Sequence, residues 1–186
     1  KCTPTCQEGF SDCSGSCVSL VSNENCGACG NVCPDGLSCS PEGVCYVSEC
    51  TLEEGNYASV KVGDKTVKAF CIKDVDTFKE FRNAINKGNI FPDEKNEDNA
   101  YIIMSDIKLY NQVNWAPIGT NSKPFNGYFI GNGHTISGNL TCTSNYCGLF
   151  GMTYGATIDG IRTSANIQSN GNLTYVGGLI GIADHS

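Results

Sequence analysis

Thirteen cysteines in 186 residues are the side chains with most chemistry to offer. Ten of them, at 2, 6, 13, 17, 26, 29, 33, 39, 45 and 50, crowd the first 50 residues. A reducing cytosol rarely tolerates that frequency unless the thiols hold metal or cycle electrons. Cys26 and Cys29 form one CxxC, and Cys13 and Cys17 follow at CxxxC spacing, so zinc ligation and a redox pair are both to be weighed. Ten crowded cysteines exceed what one or two zinc sites use, and no histidine accompanies them, so a disulfide framework is the favoured reading. Gly, Ser, Pro, Asn and Asp fill the gaps between them with almost no long apolar run. Such a segment cannot build an apolar core and has to be cross-linked, each bridge restricting the unfolded chain by roughly 2 to 4 kcal/mol.

Other reactive groups are sparse. No His-Glu-x-x-His is present; His134 adjoins a turn and His185 stands near the last residue given. Beyond residue 110 the carboxylates are Asp159 and Asp184 and the cations Lys123 and Arg162, a thin inventory for the paired acids of a glycosidase. The run Asp93-Glu94-Lys95-Asn96-Glu97-Asp98-Asn99 is patterned like a calcium loop but lacks its sixth-position glycine and terminal glutamate, and reads as a solvated loop. No catalytic, cofactor-binding or metal-ligating residue is assigned, and the chain is expected not to be an enzyme. Trp115, Phe125, Tyr128 and Phe129 would stack on sugars if exposed, but aromatics beside a Pro-Ile-Gly turn more often pack inside. The sequons at Asn139 and Asn172 are candidate glycosylation sites.

Charge and composition divide the chain. Residues 1–50 carry six acids and one base, residues 51–110 eleven and nine, and residues 111–186 two and two, for a net −7. Nucleic acid finds no electrostatic footprint in that distribution. No run of 18 apolar residues exists to span a membrane, and the chain opens at Lys1-Cys2 without an apolar leader, as a mature chain or a fragment would. Three regions follow: a disulfide-rich module at 1–50, a connecting or capping segment at 51–100, and a nearly uncharged region at 101–186.

The middle segment should form a β-hairpin about Gly63-Asp64-Lys65, then a short helix. Asp76 is a good N-cap, Phe78, Phe81, Ala84 and Ile85 recur at helical spacing, and Gly88 stops the run. Residues 91–99, with Pro92 and four acids, read as an exposed loop. From Tyr101 brief apolar runs alternate with Gly and Asn, and Asn132-Gly133 marks a tight turn. Gly148-Leu149-Phe150-Gly151 is echoed by Gly178-Leu179-Ile180-Gly181 at an interval of 30, the mark of a repeat architecture. Short strands with glycines at corners suit a β-solenoid whose coils pair along the axis.

Trp115-Ala-Pro-Ile-Gly-Thr120, Pro124-Phe-Asn-Gly-Tyr-Phe-Ile-Gly-Asn-Gly-His-Thr-Ile136 and the two Gly-Leu-x-Gly units resemble the GLUG-repeat region of microbial surface proteins. That family includes adhesin-like proteins and the non-catalytic portions of some immunoglobulin A peptidases. The resemblance covers about residues 101–186. Separately, Asp12-Cys13-Ser-Gly-Ser-Cys17-Val18, Asn25-Cys26-Gly-Ala-Cys29-Gly-Asn-Val-Cys33, Cys39 and Gly43-Val44-Cys45 resemble the stigma-specific Stig1-like cysteine-rich extracellular segments over about residues 6–45.

The expected fold is mainly β: a loop-dominated disulfide module, a hairpin and short helix capping a β-solenoid, and the first coils of that solenoid. The expected function is structural or adhesive, at the cell surface or outside the cell, as a subunit or segment of a surface fibre. A carbohydrate-binding module of a larger secreted or surface enzyme is the alternative, favoured if the aromatics line an open groove. The second repeat stops at Ser186 before a coil closes, so self-association or continuation in a longer chain is expected, with surface glycans as further partners. No cofactor is implied. Cys142 and Cys147 are isolated from the other cysteines and should pair locally, Cys50 should join Cys71, and Cys2 is left unpaired or intermolecular. Peptide mapping without reduction should recover 142 linked to 147 and 50 linked to 71; a bridge from Cys50 or Cys71 into the 6–45 block would refute the second pair.

Overall fold

The computed structural model of the chain describes residues 6–34, 36–51, 56–170 and 175–185. It is mainly β, with one helix, several small sheets and six disulfides among the described residues. The chain divides into two compact units, Lys1–Ser48 and Glu49–Ser186.

The first unit holds two small hairpins, β1 (Phe10–Cys13) with β2 (Ser16–Ser19) and β3 (Ser38–Cys39) with β4 (Cys45–Tyr46). Its bridges, Cys6–Cys17, Cys13–Cys29, Cys26–Cys39 and Cys33–Cys45, each overlap the next in sequence, so the chain from Cys6 to Cys45 is one continuous mesh. The buried apolar residues described here are Cys26, Cys33 and Val47, so the interior is largely cystine sulfur rather than hydrocarbon. Amides organise the loops between the bridges: Asn25 Oδ1 accepts from Gly30 N at 2.8 Å and Asn23 Oδ1 from Cys39 N at 2.8 Å.

The second unit begins with the hairpin β5 (Tyr57–Val62) and β6 (Lys65–Ile72), turning at Gly63 in the left-handed region (φ 60°). Helix α1 (Val75–Lys87) follows. Its N-cap is Asp74 and not the expected Asp76: Asp74 is extended (φ −154°), and its carboxylate accepts from Thr77 N at 2.8 Å. That three-residue reach satisfies an orphan N–H, while Asp76 lies in the first turn, where its charge complements the helix dipole. At the other end Gly88 (φ 82°) closes a Schellman motif, with Gly88 N bonded to Ile85 O and Asn89 N to Ala84 O.

Three chain segments then lie side by side. The first holds β7 (Ala100–Ile103), β8 (Ile107–Lys108) and β9 (Gln112–Trp115). The second holds β10 (Tyr128–Ile130), β11 (Thr135–Cys142), β12 (Tyr146–Cys147) and β13 (Phe150–Tyr154). The third holds β14 (Thr157–Asp159), β15 (Arg162–Ser169), β16 (Tyr175–Val176) and β17 (Ile180–Asp184). All the pairings between them are parallel and in order: Ala100 faces Tyr128 and then Thr157, Ile107 faces Ile136 and then Thr163, and Ile118 faces Phe150 and then Ile180. Asn132 (φ 52°) and Gly133 (φ 75°) form the expected tight turn, but it joins β10 to β11, strands of different sheets, and so is a corner and not a hairpin.

The repeat has a steric cause. A Cβ on Gly151 would sit 2.6 Å from Gly119 O, and one on Gly181 would sit 2.8 Å from Gly151 O. The last glycine of each Gly-Leu-x-Gly unit therefore stands in a column where the neighbouring layer's carbonyl leaves no room for a side chain. Gly119 heads that column, so Pro117-Ile118-Gly119 is a first, disguised copy of the repeat.

The core runs down the inside of these layers. Phe78 and Phe81 of α1 meet Tyr101, Phe125 and Phe129, and Phe150 packs edge-on against Phe129 at 5.1 Å. Helix α1 also closes the near end of the stack: the Asn86 side chain donates to Pro117 O at 2.9 Å and accepts from Gly119 N at 2.8 Å, as a neighbouring strand would. Beside it the Arg82 guanidinium lies 4.8 Å from the Trp115 ring centroid, and Trp115 Nε1 donates to Gly148 O. At the far end β14, β15, β16 and β17 pair on one side only among the described residues, and Ile158, Ile161, Ala165, Ile167, Leu179 and Ile180 are only partly buried.

Asn86→Ala removes both bonds from a part-buried position and should cost about 1 to 3 kcal/mol. Asn86→Asp, which keeps the acceptor but loses the donor, should destabilise by a similar amount at neutral pH. Chemical denaturation of both variants checks this; an unchanged midpoint for Asn86→Ala would show that water replaces the amide without loss.

Candidate functional site

The structure separates most of the residues that the sequence offers for chemistry. Trp115, Phe125 and Phe129 are buried, so none of them presents a face to a sugar, and Tyr128 is half-buried with the Lys65 ammonium 5.2 Å from its ring centroid. His134 Nδ1 stands 3.5 Å from Asp106 Oδ1, which also accepts from Thr135 N at 2.9 Å. His185 pairs with Asp184 at 2.6 Å, and its ring lies 5.2 Å from that of Tyr154. Asp159 and Asp184 fall on β14 and β17, in different sheets. Cys50 is bonded to Cys71, within the second unit, with a Cα separation of 6.4 Å, and Cys142 to Cys147 with 5.7 Å. Cys2 and Asn172 lie outside the described residues.

Two expectations about ligating groups resolve locally. The sulfurs of Cys26, Cys33 and Cys39 lie within 4.8 Å of one another, but all are consumed in two adjacent disulfides and offer no thiolate to a metal. Residues 91–99 are not simply an exposed loop. They wrap around Asn96, which is fully buried: its Nδ2 donates to Phe91 O and Ala100 O, both at 3.0 Å, and its Oδ1 accepts from Ala100 N at 3.2 Å. Of the acids in this run, Asp98 accepts from Lys68 N at 2.8 Å and pairs with Lys65 Nζ at 3.2 Å, while Asp93 accepts from Lys95 N. The composition of the run hid a single interior amide.

Two concave surfaces of the second unit are lined by polar side chains. One is a shallow groove of about 400 Å3 across β9, β11 and β15, lined by Asn111, Gln112, Asn139, Thr141, Asn166 and Gln168. Asn139, the sequon asparagine, is exposed there, and its Nδ2 donates to Asn111 Oδ1 at 2.9 Å. Asn166 is its register partner on the next strand, so amides stack at the spacing of parallel strands. A glycan on Asn139 would cover this groove.

The other is a cleft of about 530 Å3 where the C-terminal end of α1, the 122–126 segment and β13 converge. Ile85, Ile90, Pro124 and Tyr154 supply apolar surface, Asn89, Asn99, Ser122 and Asn126 supply hydrogen-bonding groups, and Lys123 supplies one charge. Tyr154 is 50 % exposed and Ile90 38 %. Tyr101 Oη donates to Asn99 Oδ1 at 2.7 Å and Asn99 Nδ2 to Asn126 Oδ1 at 3.0 Å, so a buried phenol fixes the amides of the cleft. Burial pushes that phenol up to about 12, keeping it a hydrogen-bond donor across the physiological range. The residues come from four separated stretches, so no local spacing announces the cleft. Only the aromatic and amide richness of the region hints at it.

Comparison of the chain with protein-family models, with curated proteins and with solved structures finds no match in any of the three.

The ionisable groups set the pH limits of this arrangement. Tyr101 is held neutral in the folded chain, so its contribution is full below about pH 10, the unfolded value, and is lost as pH rises through about 12. The Asp98 carboxyl is lowered, chiefly by the Lys68 N–H bond, and those of Asp74 and Asp106 chiefly by the Thr77 and Thr135 N–H bonds. Their contribution is present above about pH 4, near the unfolded Asp value, and is lost as pH falls through the lower folded values. Ultraviolet titration should show the Tyr101 phenol ionising late, together with alkaline unfolding. Tyr101→Phe should abolish that late step, and Asp98→Asn should flatten the loss of stability below about pH 4.

Proposed function

We propose that residues 100–184 form a β-solenoid of three coils, and that the chain is an extracellular structural or adhesive element without catalytic activity. The observation that carries this reading is the ordered parallel register, in which equivalent residues of three consecutive segments face one another on several sheets. A column of glycines at the corners and an aromatic interior support it. Six disulfides suggest an oxidising environment of extracellular type, and no helix of the described residues is long and apolar enough to cross a membrane. The kinship to GLUG-repeat surface proteins and to Stig1-like modules belongs to the same proposal and rests on the motifs alone.

Assembly follows from the two ends of the stack. At the near end α1 occupies part of the place of a preceding coil through Asn86, and at the far end four strands have an open side among the described residues. Open parallel edges with half-covered apolar side chains pair readily with more β-structure. The far edge is therefore the joint, taken either by further chain or by a second copy in a surface fibre. β8 and β9 at the near end also pair on one side only among the described residues, so the far edge of one copy meeting them head to tail would propagate a fibre, whereas far edge to far edge would close as a dimer.

Light scattering on the intact natural material tests this. The expected result is a species well above the 19.8 kDa of these residues, with slow amide exchange along β14, β15 and β17. A single species near 20 kDa whose β15 amides exchange rapidly would overturn the assembly reading.

A further inference from the structure

The cleft at the end of α1 combines three properties that together select a ligand. Its aromatic and aliphatic surface, with Tyr154 half exposed, suits the C–H face of a ring. Its amides and hydroxyl suit a set of ligand hydroxyls: the Asn99 amide is committed on both sides, and Asn126, its Oδ1 taken by Asn99, has no protein partner for its NH2 among the described residues. The ten lining residues contain one charged group, and in a chain of net −7 that group is positive.

The backbone that carries this exposed cation is fixed. The backbone of Lys123 is locked in a tight turn, with Thr120 N bonded to Lys123 O at 2.8 Å and Lys123 N to Thr120 O at 3.1 Å. Its side chain lies across Gly88, where an added Cβ would come within 2.7 Å of Cδ and 3.1 Å of Nζ. The ammonium is thus held beside the C-terminal end of α1, whose carbonyl dipoles favour a cation, and it makes no ion pair among the described residues. The same helix end disfavours a phosphate, which would need several cations or a helix N-terminus. With one cation in the lining, the site can pair with one carboxylate, the ammonium offsetting the repulsion that the helix end exerts on any anion.

We propose that this cleft binds an acidic sugar residue, a pyranose bearing one carboxylate, such as the terminal or internal uronic or sialic acid of a surface glycan. The ring stacks on Tyr154 against Ile90 and Pro124, the hydroxyls meet Asn89, Ser122 and Asn126, and the carboxylate meets Lys123 Nζ. The volume of about 530 Å3 is that of a small-molecule site. This inference deepens the adhesive reading and rests on it only in placing the cleft outside the cell.

Titration calorimetry and ligand-observed NMR on the intact chain, with the methyl glycosides of glucuronic acid, N-acetylneuraminic acid and glucose, test it. At least one acidic glycoside should bind about tenfold or more tightly than the neutral one, the increment of a charge-assisted bond. Lys123→Gln should bring the acidic and neutral sugars to within about threefold of each other, Lys123→Arg should keep the preference, and Tyr154→Ala should weaken all the sugars; thermal melts establish that each variant is folded. Equal binding of acidic and neutral sugars, a preference that survives Lys123→Gln, tighter binding of an acetylated dipeptide carboxylate, or no binding of any sugar at about tens of millimolar would each overturn the proposal. A chain that assembles but ignores acidic sugars loses the cleft and keeps the structural reading. A monomer that binds them loses the fibre and keeps the cleft.

Discussion

Every strand at the margin of a parallel stack carries N–H and C=O groups that need partners, and the second unit is arranged around that demand. Inside the stack the requirement is met strand by strand. At the near margin it is met in part, by the hairpin through β6 on β7 and by a helix whose Asn86 presents the donor and acceptor a peptide group would offer, while β8 and β9 pair with β11 on one side only among the described residues. The helix can lie there because Phe78, Phe81 and Ile85 give it a single apolar face and because it begins and ends cleanly at Asp74 and Gly88. The cleft is a by-product of that ending: a longer helix would have run through the space that Lys123 and Tyr154 now border.

The two units meet the cost of chain ordering by different means. The second unit buries an aromatic column in which Tyr101, Phe125, Phe129 and Phe150 are each almost wholly enclosed. The first has almost no hydrocarbon to bury and uses overlapping bridges, so its native state depends on constraint of the unfolded chain more than on attraction in the folded one. Polar interior groups are few and satisfied: Asn96 makes three bonds to backbone, and the Tyr101 hydroxyl both accepts and donates.

What the sequence disclosed depended on whether the cause was local. The helix was legible because its apolar spacing and its terminal glycine lie within fourteen residues of one another, yet its cap was misplaced by two because Asp74 and Asp76 are equally good residues and only backbone conformation chooses between them. The segment 91–99 is mostly exposed, as its four acids imply, but nothing local distinguishes its one buried residue, Asn96, from an ordinary loop amide. Gly-Leu-x-Gly was visible twice, but the copy at 117–119 was hidden by proline in place of leucine, since the steric demand falls on the glycine and not on its neighbours. The cleft was illegible for the opposite reason: residues 85–90, 99, 122–126 and 154 meet only after the layers have stacked.

The glycine column at 119, 151 and 181 bears on how such a chain can change over generations. Because Gly119, Gly151 and Gly181 meet carbonyls at equivalent positions of successive segments, a change in length that keeps them aligned has to come in whole repeats. A deletion of a few codons within a strand would instead throw the remaining glycines out of line and bring side chains onto carbonyl oxygens. Length can therefore change only in whole repeating segments, and the cleft, whose lining reaches Tyr154, is left unaltered only by changes beyond that residue.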